Sequence, residues 1–290
     1  MTSAALAALV IWGHAQAGAQ RTPAPLRLEA PVSTWDEAAP LGNGLIGALV
    51  WGEGNVLRLS LDRGDLWDNF LPAIYDQPDW TYATIQRLVG EKNQREMERL
   101  FDTPYEAVPY PTKLPAGRVE LRFSDGAQID HVQLDLARAE ARVRFLGVPG
   151  SPGISAFVDA GAPVVLVSLP GPHGAGAGMD LLVTAPAAVS ALGYPPATPI
   201  ESQGFRGYEQ RTPTGLRYGV LAKLGAASRS TLAITVFASR DGQDPVPAAR
   251  ALLERALTDG YDRRLATHAA WWKSFWATSS GIVTDEVAQN

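Results

Sequence analysis

The chain has 290 residues, of which 46% are hydrophobic and 19% charged, so it can bury a large core in one big domain or two ordinary ones. Its net charge of −5, without a basic stripe, argues against nucleic acid as a partner. It has no cysteine, which excludes disulfides, thiolate metal sites and thiol catalysis. The 28 glycines and 22 prolines favour a β-rich fold with many turns.

The first twenty residues have features of an export signal. Residues 4–12 are apolar, and two A-x-A cleavage patterns follow at Ala15–Ala17 and Ala17–Ala19. The apolar segment is too short to span a bilayer, and no Lys or Arg precedes it, so an alanine-rich tail is the alternative. We expect a signal peptide at residues 1–19 and a periplasmic or secreted protein that starts near Gln20. No other stretch reaches membrane-spanning length, and no membrane partner is expected.

Most of the chain has the pattern of short strands. Residues 20–31 are rich in proline and predict an extended lead-in, and residues 56–62 alternate, with Leu57, Leu59 and Leu61 on one face. Further strands are predicted over residues 45–51, 119–123, 132–136, 141–145, 154–158, 164–169, 179–184, 218–224 and 231–238. An Asp125–Gly126 turn and loops at residues 171–178 and 194–199 are predicted between them.

Two regions change to helical periodicity. Between residues 82 and 101 apolar residues recur at helical spacing, and Gly90 either divides two short helices or marks a kink. From about Asp244 a helix with prolines in its first turn is predicted. An interruption at Asp259–Gly260 precedes a second helix through Trp276.

These elements predict a fold that is mainly β. The expected architecture is a large antiparallel β-sandwich, or super-sandwich, with a short helical insertion and C-terminal linker helices. Residues 20–243 would form the sandwich and residues 244–290 the linker helices. The chain contains no internal repeat that would suggest a solenoid.

Residues Gly42–Gly47 match G-x-G-x-x-G, the dinucleotide fingerprint. That motif works only between a strand and a helix whose N-terminus receives the pyrophosphate. Here Pro40 precedes it, and the apolar run at residues 45–51 favours a strand after it. We therefore expect a hairpin turned at Asn43–Gly44, where both positions tolerate positive φ, and a nucleotide-dependent oxidoreductase is disfavoured.

The run from Trp35 to Trp67 reads W-D-E-A-A-P-L-G-N-G-L-I-G-A-L-V-W-G and, after a short gap, L-R-L-S-L-D-R-G-D-L-W. It resembles the opening of the N-terminal domain of glycoside hydrolase family 95 enzymes, which are α-L-fucosidase-like and related to family 65. The order of elements resembles that domain from about Pro31 to Asp285. The family often has L-N-x-D-x-L-W where this chain has L-D-R-G-D-L-W, which leaves the sugar specificity open.

This resemblance implies a non-catalytic domain of a cofactor-independent glycosidase that acts on glycans. The family's catalytic acid lies on a helical barrel, and the few residues after Trp276 are too short for one, so we expect this chain to lack the barrel and to be inactive alone. The segment H-A-A-W-W-K-S-F-W resembles the family's linker, and Trp271, Trp272 and Trp276 would dock the absent barrel. A free-standing carbohydrate-binding module is the alternative.

Residue types around Trp67 predict a sugar-binding loop. Its candidates combine a stacking ring with hydrogen-bonding groups: Asn43, Asp65, Trp67, Asp68 and Asn69. The aspartates at positions 62, 65 and 68 would also fit paired glycosidase carboxyls or, more weakly, calcium without an EF-hand pattern. The favoured interpretation is a turn in which the carboxylates accept backbone N–H bonds.

The histidines do not have metal-binding spacing. His14, His131, His173 and His268 lie far apart, without H-x-x-x-H, so no metal is predicted. His268 is expected to be a packed linker residue with its ring bonded to backbone, in preference to a general base.

Overall fold

The computed structural model describes residues 25–71, 73–104, 112–123, 126–146, 153–169, 179–225, 230–242 and 244–279. Two antiparallel sheets stack in this part of the chain, and two helices follow them. The prediction of a large antiparallel sandwich with a helical insertion and C-terminal helices is confirmed. The expected signal at residues 1–19, the loop at residues 171–178, Asp125, His14 and His173 lie outside the described residues.

The strands alternate with tight turns along the chain. They are β1 (Leu26–Glu29), β2 (Ala39–Gly42), β3 (Ile46–Glu53), β4 (Val56–Arg63), β5 (Trp67–Asp68), β6 (Thr112–Lys113), β7 (Arg118–Phe123), β8 (Gln128–Asp135), β9 (Glu140–Leu146), β10 (Ile154–Val158), β11 (Val165–Leu169), β12 (Met179–Thr184), β13 (Thr198–Ser202), β14 (Phe205–Arg211), β15 (Arg217–Leu224) and β16 (Ser230–Ala238).

The strands form two main sheets. The larger has nine strands in the order β1-β8-β9-β10-β11-β16-β15-β14-β13, and the smaller has five in the order β12-β7-β4-β3-β2. The short strands β5 and β6 pair with each other. Every strand pair is antiparallel, as expected for strands joined by short turns.

Helices occur in the predicted places. Those of the insertion are α1 (Tyr82–Gly90) and α2 (Gln94–Met97), followed by a π-helical turn at Glu98–Asp102, so Gly90 divides two short helices. A short helix α3 (Ala188–Ala191) follows β12. The C-terminal pair is α4 (Pro245–Asp259) and α5 (Tyr261–Thr278), which are separated by Gly260 at φ 80°, a conformation that suits glycine.

Two hydrophobic clusters hold the fold together. Between the sheets, alternation along β4 buries Leu57, Leu59 and Leu61, as predicted. On the outer face of the nine-stranded sheet, Phe157 and Leu253 belong to a second cluster with the apolar side of α4 and α5. The two C-terminal helices are thus packed on the sandwich by burial of apolar surface.

The structure corrects two sequence expectations. Residues 26–29 of the lead-in form β1, which pairs with β8, and β13 begins at Thr198, inside the predicted 194–199 loop. Pro199 disguised β13, since proline is tolerated only on edge strands, and β13 is an edge. β14 was also missed, because it buries Phe205 under α4 and Tyr208 between the sheets, so its period of two is masked.

Candidate functional site

Residues 64–71, called the Trp67 loop here, follow β4 at one end of the five-stranded sheet. A turn returns the chain, with the N–H of Leu66 donating to the carbonyl of Arg63 at 3.1 Å, and Leu66 is fully buried. From this anchor the side chains alternate: Trp67 is 43% exposed, Asp68 is buried and Asn69 is exposed. From Leu66 to Asn69 the loop therefore presents every second side chain to the surface.

A buried arginine supports this loop. Arg63 directs its Nε and Nη2 to Asp65 at 2.6 and 3.1 Å, and its Nη1 and Nη2 to Asp241 at 2.6 Å each. Its Nη1 also donates to the carbonyl of Val236 at 3.1 Å, so all five guanidinium N–H donors are used. Because Arg63 ends β4 and Asp241 follows β16, this ion cluster ties the two sheets together.

The same contacts set the charge states of the cluster. Burial opposes the charge of Arg63, but hydrogen bonds to Asp65 and Asp241 outweigh it and raise the pKa of Arg63 above its usual value. The hydrogen bond from Arg63 is the largest effect on Asp65 and holds the pKa of that carboxyl below 3.8. Arg63 and Asp65 are therefore both charged at neutral pH.

Asp68 faces inward and is held by three donors. Its carboxylate accepts hydrogen bonds from the hydroxyls of Tyr194 at 2.5 Å and Thr214 at 3.1 Å, and from the N–H of Phe70 at 3.1 Å. These contacts bond the loop to segments next to β13 and β14. In this arrangement Asp68 supports the loop from below, while Trp67 lies at the surface.

Asn43 lies in the neighbouring hairpin. Its Nδ2 donates to the carbonyls of Asp159 at 2.9 Å and Ala162 at 3.0 Å, and its Oδ1 accepts from the N–H groups of Leu45 and Ile46 at 3.0 Å each. The two Nδ2 bonds use both donors of the amide and fasten the hairpin to the turn between β10 and β11. The two Oδ1 bonds lie within the hairpin itself.

The glycine motif Gly42–Gly47 forms the hairpin between β2 and β3, and β3 continues into β4. The strand–helix context of a dinucleotide site does not occur here. The turn differs from the prediction in one respect: its central residues are Gly44 and Leu45, and only Gly44 of the predicted Asn43–Gly44 pair has positive φ, at 89°. The N–H of Gly64 donates to Leu45 O at 2.8 Å, so the hairpin lies against the Trp67 loop.

The three aspartates at positions 62, 65 and 68 have separate partners. Asp62 is exposed and pairs with Lys113, whereas Asp65 pairs with Arg63 and Asp68 with hydroxyls. The expected backbone N–H bond is present for Asp68, and Asp65 and Asp62 form ion pairs. Within the described residues no group of three His, Cys, Asp or Glu side chains could hold a metal ion.

The exposed surface of the loop is amphipathic. Phe70 and Leu71 are exposed next to Trp67 and Asn69. An aromatic face beside an amide can stack on a sugar ring and hydrogen-bond its hydroxyls. Sequence reasoning found Trp67 and Asn69 but missed the buried support by Arg63, which occupies the inward position next in the alternation after Leu61.

A second exposed surface lies on α5 and is called the α5 aromatic face: Trp271, Trp272, Phe275 and Trp276. Trp271 is 48% exposed and stacks on Phe275, with centroids 5.6 Å apart and planes 9° apart. Trp272 is half-buried, and no described group accepts a hydrogen bond from its Nε1, whereas Trp276 donates to Leu136 O at 2.9 Å. The rings of Trp271 and Trp272 meet edge to face with centroids 5.2 Å apart, so the adjacent tryptophans belong to one aromatic cluster.

His268 fixes this face to the sandwich. Its Nδ1 accepts from the N–H of Ala160 at 3.2 Å, and its Nε2 donates to the carbonyl of Arg138 at 2.8 Å, so the predicted packed histidine is confirmed. Burial lowers the pKa of His268 despite the backbone acceptors and the carboxylates of Asp159 and Glu140. The ring is therefore neutral at neutral pH.

The sequence was also compared with known families. A family model described as glycosyl hydrolase family 65, N-terminal domain, matches residues 26–233, which is most of the chain. The chain belongs to this family. It is thus an N-terminal domain of a glycoside hydrolase, and the described residues contain a sandwich with two trailing helices, not a helical barrel.

Two known proteins are similar to this family 65 N-terminal domain. Alpha-L-fucosidase 2 from Arabidopsis thaliana is 33% identical over 76 residues, which is 26% of this chain and 9% of that protein. A solved structure from the human microbiome, assigned as a kojibiose phosphorylase, matches with a TM-score of 0.45 and 8% identity over 86% of this chain and 38% of that one. Both matches cover only a minor part of the other protein. Among the described helices, none is both long and apolar enough to cross a membrane.

Proposed function

We propose that this domain is the non-catalytic sandwich of a glycosidase that acts on α-L-fucoside-like glycans. The similarity to alpha-L-fucosidase 2 supports this substrate class, and the family match supports a glycoside hydrolase domain. The observation that carries the proposal is the Trp67 loop: an exposed indole and amide stand on a base fixed by buried ions. Such a base holds a contact group in one geometry, which a sugar site requires.

In this proposal the five predicted residues have two kinds of role. Trp67 and Asn69 contact the sugar, because their side chains are exposed. Asn43, Asp65 and Asp68 position them, because their polar atoms are bonded within the domain. The loop would form part of the rim of a sugar site whose reacting groups lie on another domain.

The carboxylates of this loop support a non-catalytic role. Glycoside hydrolysis needs two carboxyl groups about 5–5.5 Å apart for retention or about 6.5–9.5 Å apart for inversion, with one able to donate a proton. Asp65 is ionised by Arg63, and Asp68 is enclosed by hydroxyl donors. Neither is arranged as a proton donor to a sugar at the surface.

We further propose that the α5 aromatic face docks the catalytic barrel through Trp271, Trp272 and Trp276. Exposed aromatic patches on a domain mark interaction surfaces, and tryptophan is enriched where interfaces gain most of their energy. Trp271 and Phe275, which are both exposed and stack on each other, give this face a broad apolar surface for such an interface. Substituting Trp271→Ser should weaken binding to a separately expressed family barrel. Trp35 is 63% exposed but lies outside α5, so Trp35→Ser should leave that binding unchanged.

The experiment for the main proposal uses the 290-residue chain with aryl α-L-fucosides and with methyl α-L-fucoside. No turnover is expected, and weak sugar binding should be lost in Trp67→Ala but kept in Trp35→Ala, detected by NMR line broadening. Release of fucose by the chain would refute the non-catalytic role. Tight glycan binding by the isolated chain would instead favour the free-standing binding module.

We also propose export to the periplasm or the exterior, on the basis of the apolar residues 4–12 and the A-x-A sites that follow. The mass of the protein recovered from the native host tests this. A mature N-terminus near Gln20 is expected, and a retained Met1 in the cytoplasm would contradict it.

A further inference from the structure

A groove with a volume of about 470 Å³ lies between the edge strand β13 and helix α4, on the outer face of the nine-stranded sheet. Its volume falls within the range of small-molecule sites. Thr198, Ile200 and Ser202 line it from the strand, and Val246 and Arg250 line it from the helix. None of its lining residues belongs to the Trp67 loop or the α5 aromatic face.

Two glycines keep this part of the sheet without side chains. The register pairs Ile200 with Gly207 and Glu209 with Gly219, and cross-strand partners share a face. A Cβ on Gly207 would lie 2.0 Å from a carbonyl oxygen of β15, and one on Gly219 would lie 1.9 Å from a carbonyl oxygen of β14. The packing of the strands therefore excludes any larger residue at these two positions, which are the cross-strand partners of the groove residues Ile200 and Glu209.

The groove is apolar in the middle and polar at both ends. Ile200 and Val246 pack against the second hydrophobic cluster and form the middle. At one end, Glu209 accepts from Arg217 at 3.0 and 2.7 Å and from Arg211 at 3.2 Å, and Arg217 also lies 3.6 Å from Asp244, so two cations are paired with two carboxylates. This end is thus an ion cluster that is already satisfied.

The other end contains a cation with different partners. Arg250 donates to Gln203 Oε1 at 2.9 Å and to Ser202 Oγ at 2.6 Å, and its guanidinium carbon lies 4.9 Å from the centre of the Phe205 ring. All three partners are neutral. Lys223, over the same ring, is paired with Glu254 instead. Arg250 is thus an oriented guanidinium that forms no ion pair with a described residue, although the carboxylate of Glu201 also lines the groove.

We propose that this groove binds a sugar residue that carries a carboxylate. The carboxylate is placed at Arg250, because a planar guanidinium matches a carboxylate in geometry and charge. The sugar ring lies over Ile200 and Val246, and its hydroxyls reach the hydroxyls of Thr198 and Ser202. The ligand class is an acidic glycan, and the site is separate from the one proposed on the Trp67 loop.

The test is an NMR titration of the 290-residue chain with methyl glucuronide and methyl galacturonide, and with the corresponding neutral glycosides. The acidic sugars should bind. The neutral sugars should have an affinity at least about tenfold lower, as expected for loss of one charge-assisted bond. Arg250→Gln should weaken the binding of acidic sugar about tenfold. Arg255→Gln makes the same change in charge on an exposed part of the same helix and should leave it within about twofold.

Three results would overturn the proposal. The first is equal affinity for neutral and acidic sugars. The second is an equal loss of affinity for acidic sugar in Arg250→Gln and Arg255→Gln. The third is that the folded chain binds no acidic sugar. Arg250→Lys guards against misfolding, since it keeps the charge but loses the planar fork, and it should bind with intermediate affinity. Trp67→Ala should leave this binding unchanged, which separates the groove from the proposed fucoside site.

Discussion

The Trp67 loop and the α5 aromatic face both place tryptophan on the surface, but the balance of their supports differs. Under the loop, Arg63 is buried between two carboxylates, and Asp68 accepts from hydroxyls, so polar contacts dominate. Under α5, a neutral His268 bonds to backbone and Arg264 pairs with Asp159 at 2.6 Å, while the helix packs on apolar side chains. The first support depends mainly on charge and the second mainly on burial of apolar surface.

This difference predicts different responses to mutation and pH. A buried ion cluster holds one geometry, but removal of a member leaves charges without compensation. Apolar packing is lost in proportion to the atoms removed. If the loop contacts sugar and the helix docks a domain, then a fixed geometry suits the first and a broad apolar surface suits the second.

Replacing Arg63 with methionine should have the largest effect. It leaves Asp65 and Asp241 without their cation beneath the loop, and we expect the free energy of unfolding to fall by about 3 kcal/mol, the low end of the range for a broken buried pair, because both carboxylates are more than a third exposed. Urea denaturation followed by circular dichroism measures this. Arg87→Met, which removes an exposed pair with Glu91, is the control and should cost about 0.5 kcal/mol or less. Similar losses in the two variants would show that the loop is not held by its buried ions.

Truncation of the α5 support should have a smaller effect. Leu265 is a buried member of the second hydrophobic cluster, and Leu265→Ala should lower the free energy of unfolding by about 2–3 kcal/mol. Val89→Ala on the exposed side of α1 is the matched control, with an expected change of about 0.5 kcal/mol or less. A neutral Leu265→Ala would mean that α5 is not packed on the sheet in solution.

Acid should weaken the two regions in sequence. Burial lowers the pKa of His268, so the unfolded chain binds its proton first, and stability is lost as pH falls from 6.5 toward the lower folded value. Asp65 has a pKa held below 3.8 by Arg63, so its contribution is lost only as pH falls below that value. Tryptophan fluorescence of α5 should change in the first step.

His268→Gln is the matched test of this order, because an amide can keep both backbone bonds but does not titrate. The decline in stability that begins at pH 6.5 should disappear in this variant and persist in His131→Gln. A decline that is the same in both variants would assign the step to another group.

The smallest effect on stability is expected for Trp67→Ala. The ring is 43% exposed, so the free energy of unfolding should change by about 1 kcal/mol or less while sugar binding is lost. Thermal denaturation and the fucoside titration measure the two separately. A large loss of stability would make Trp67 a structural residue and would remove it from the proposed sugar contacts.

The sequence predicted much of the sandwich, because period-two alternation is local. The strands that bury one face, such as β4, the helices of the insertion and the C-terminal helices were predicted. The pattern failed at β14, which is covered on both faces, and at β13, whose proline masks an edge. Extending the β4 alternation by one residue would have placed Arg63 on the buried face and would have required a partner for its charge.

The sequence by itself determined the fold class, the hairpin at Gly44 and the family, since these follow from periodicity, turn chemistry and a continuous motif. Only the tertiary structure decided the partners of each polar group. Asp241 is far from Arg63 in sequence, and Tyr194 is equally far from Asp68, yet the contacts between them fix the loop. Long-range pairs of this kind arise when two sheets stack, and no local pattern along the chain encodes which strand ends will meet.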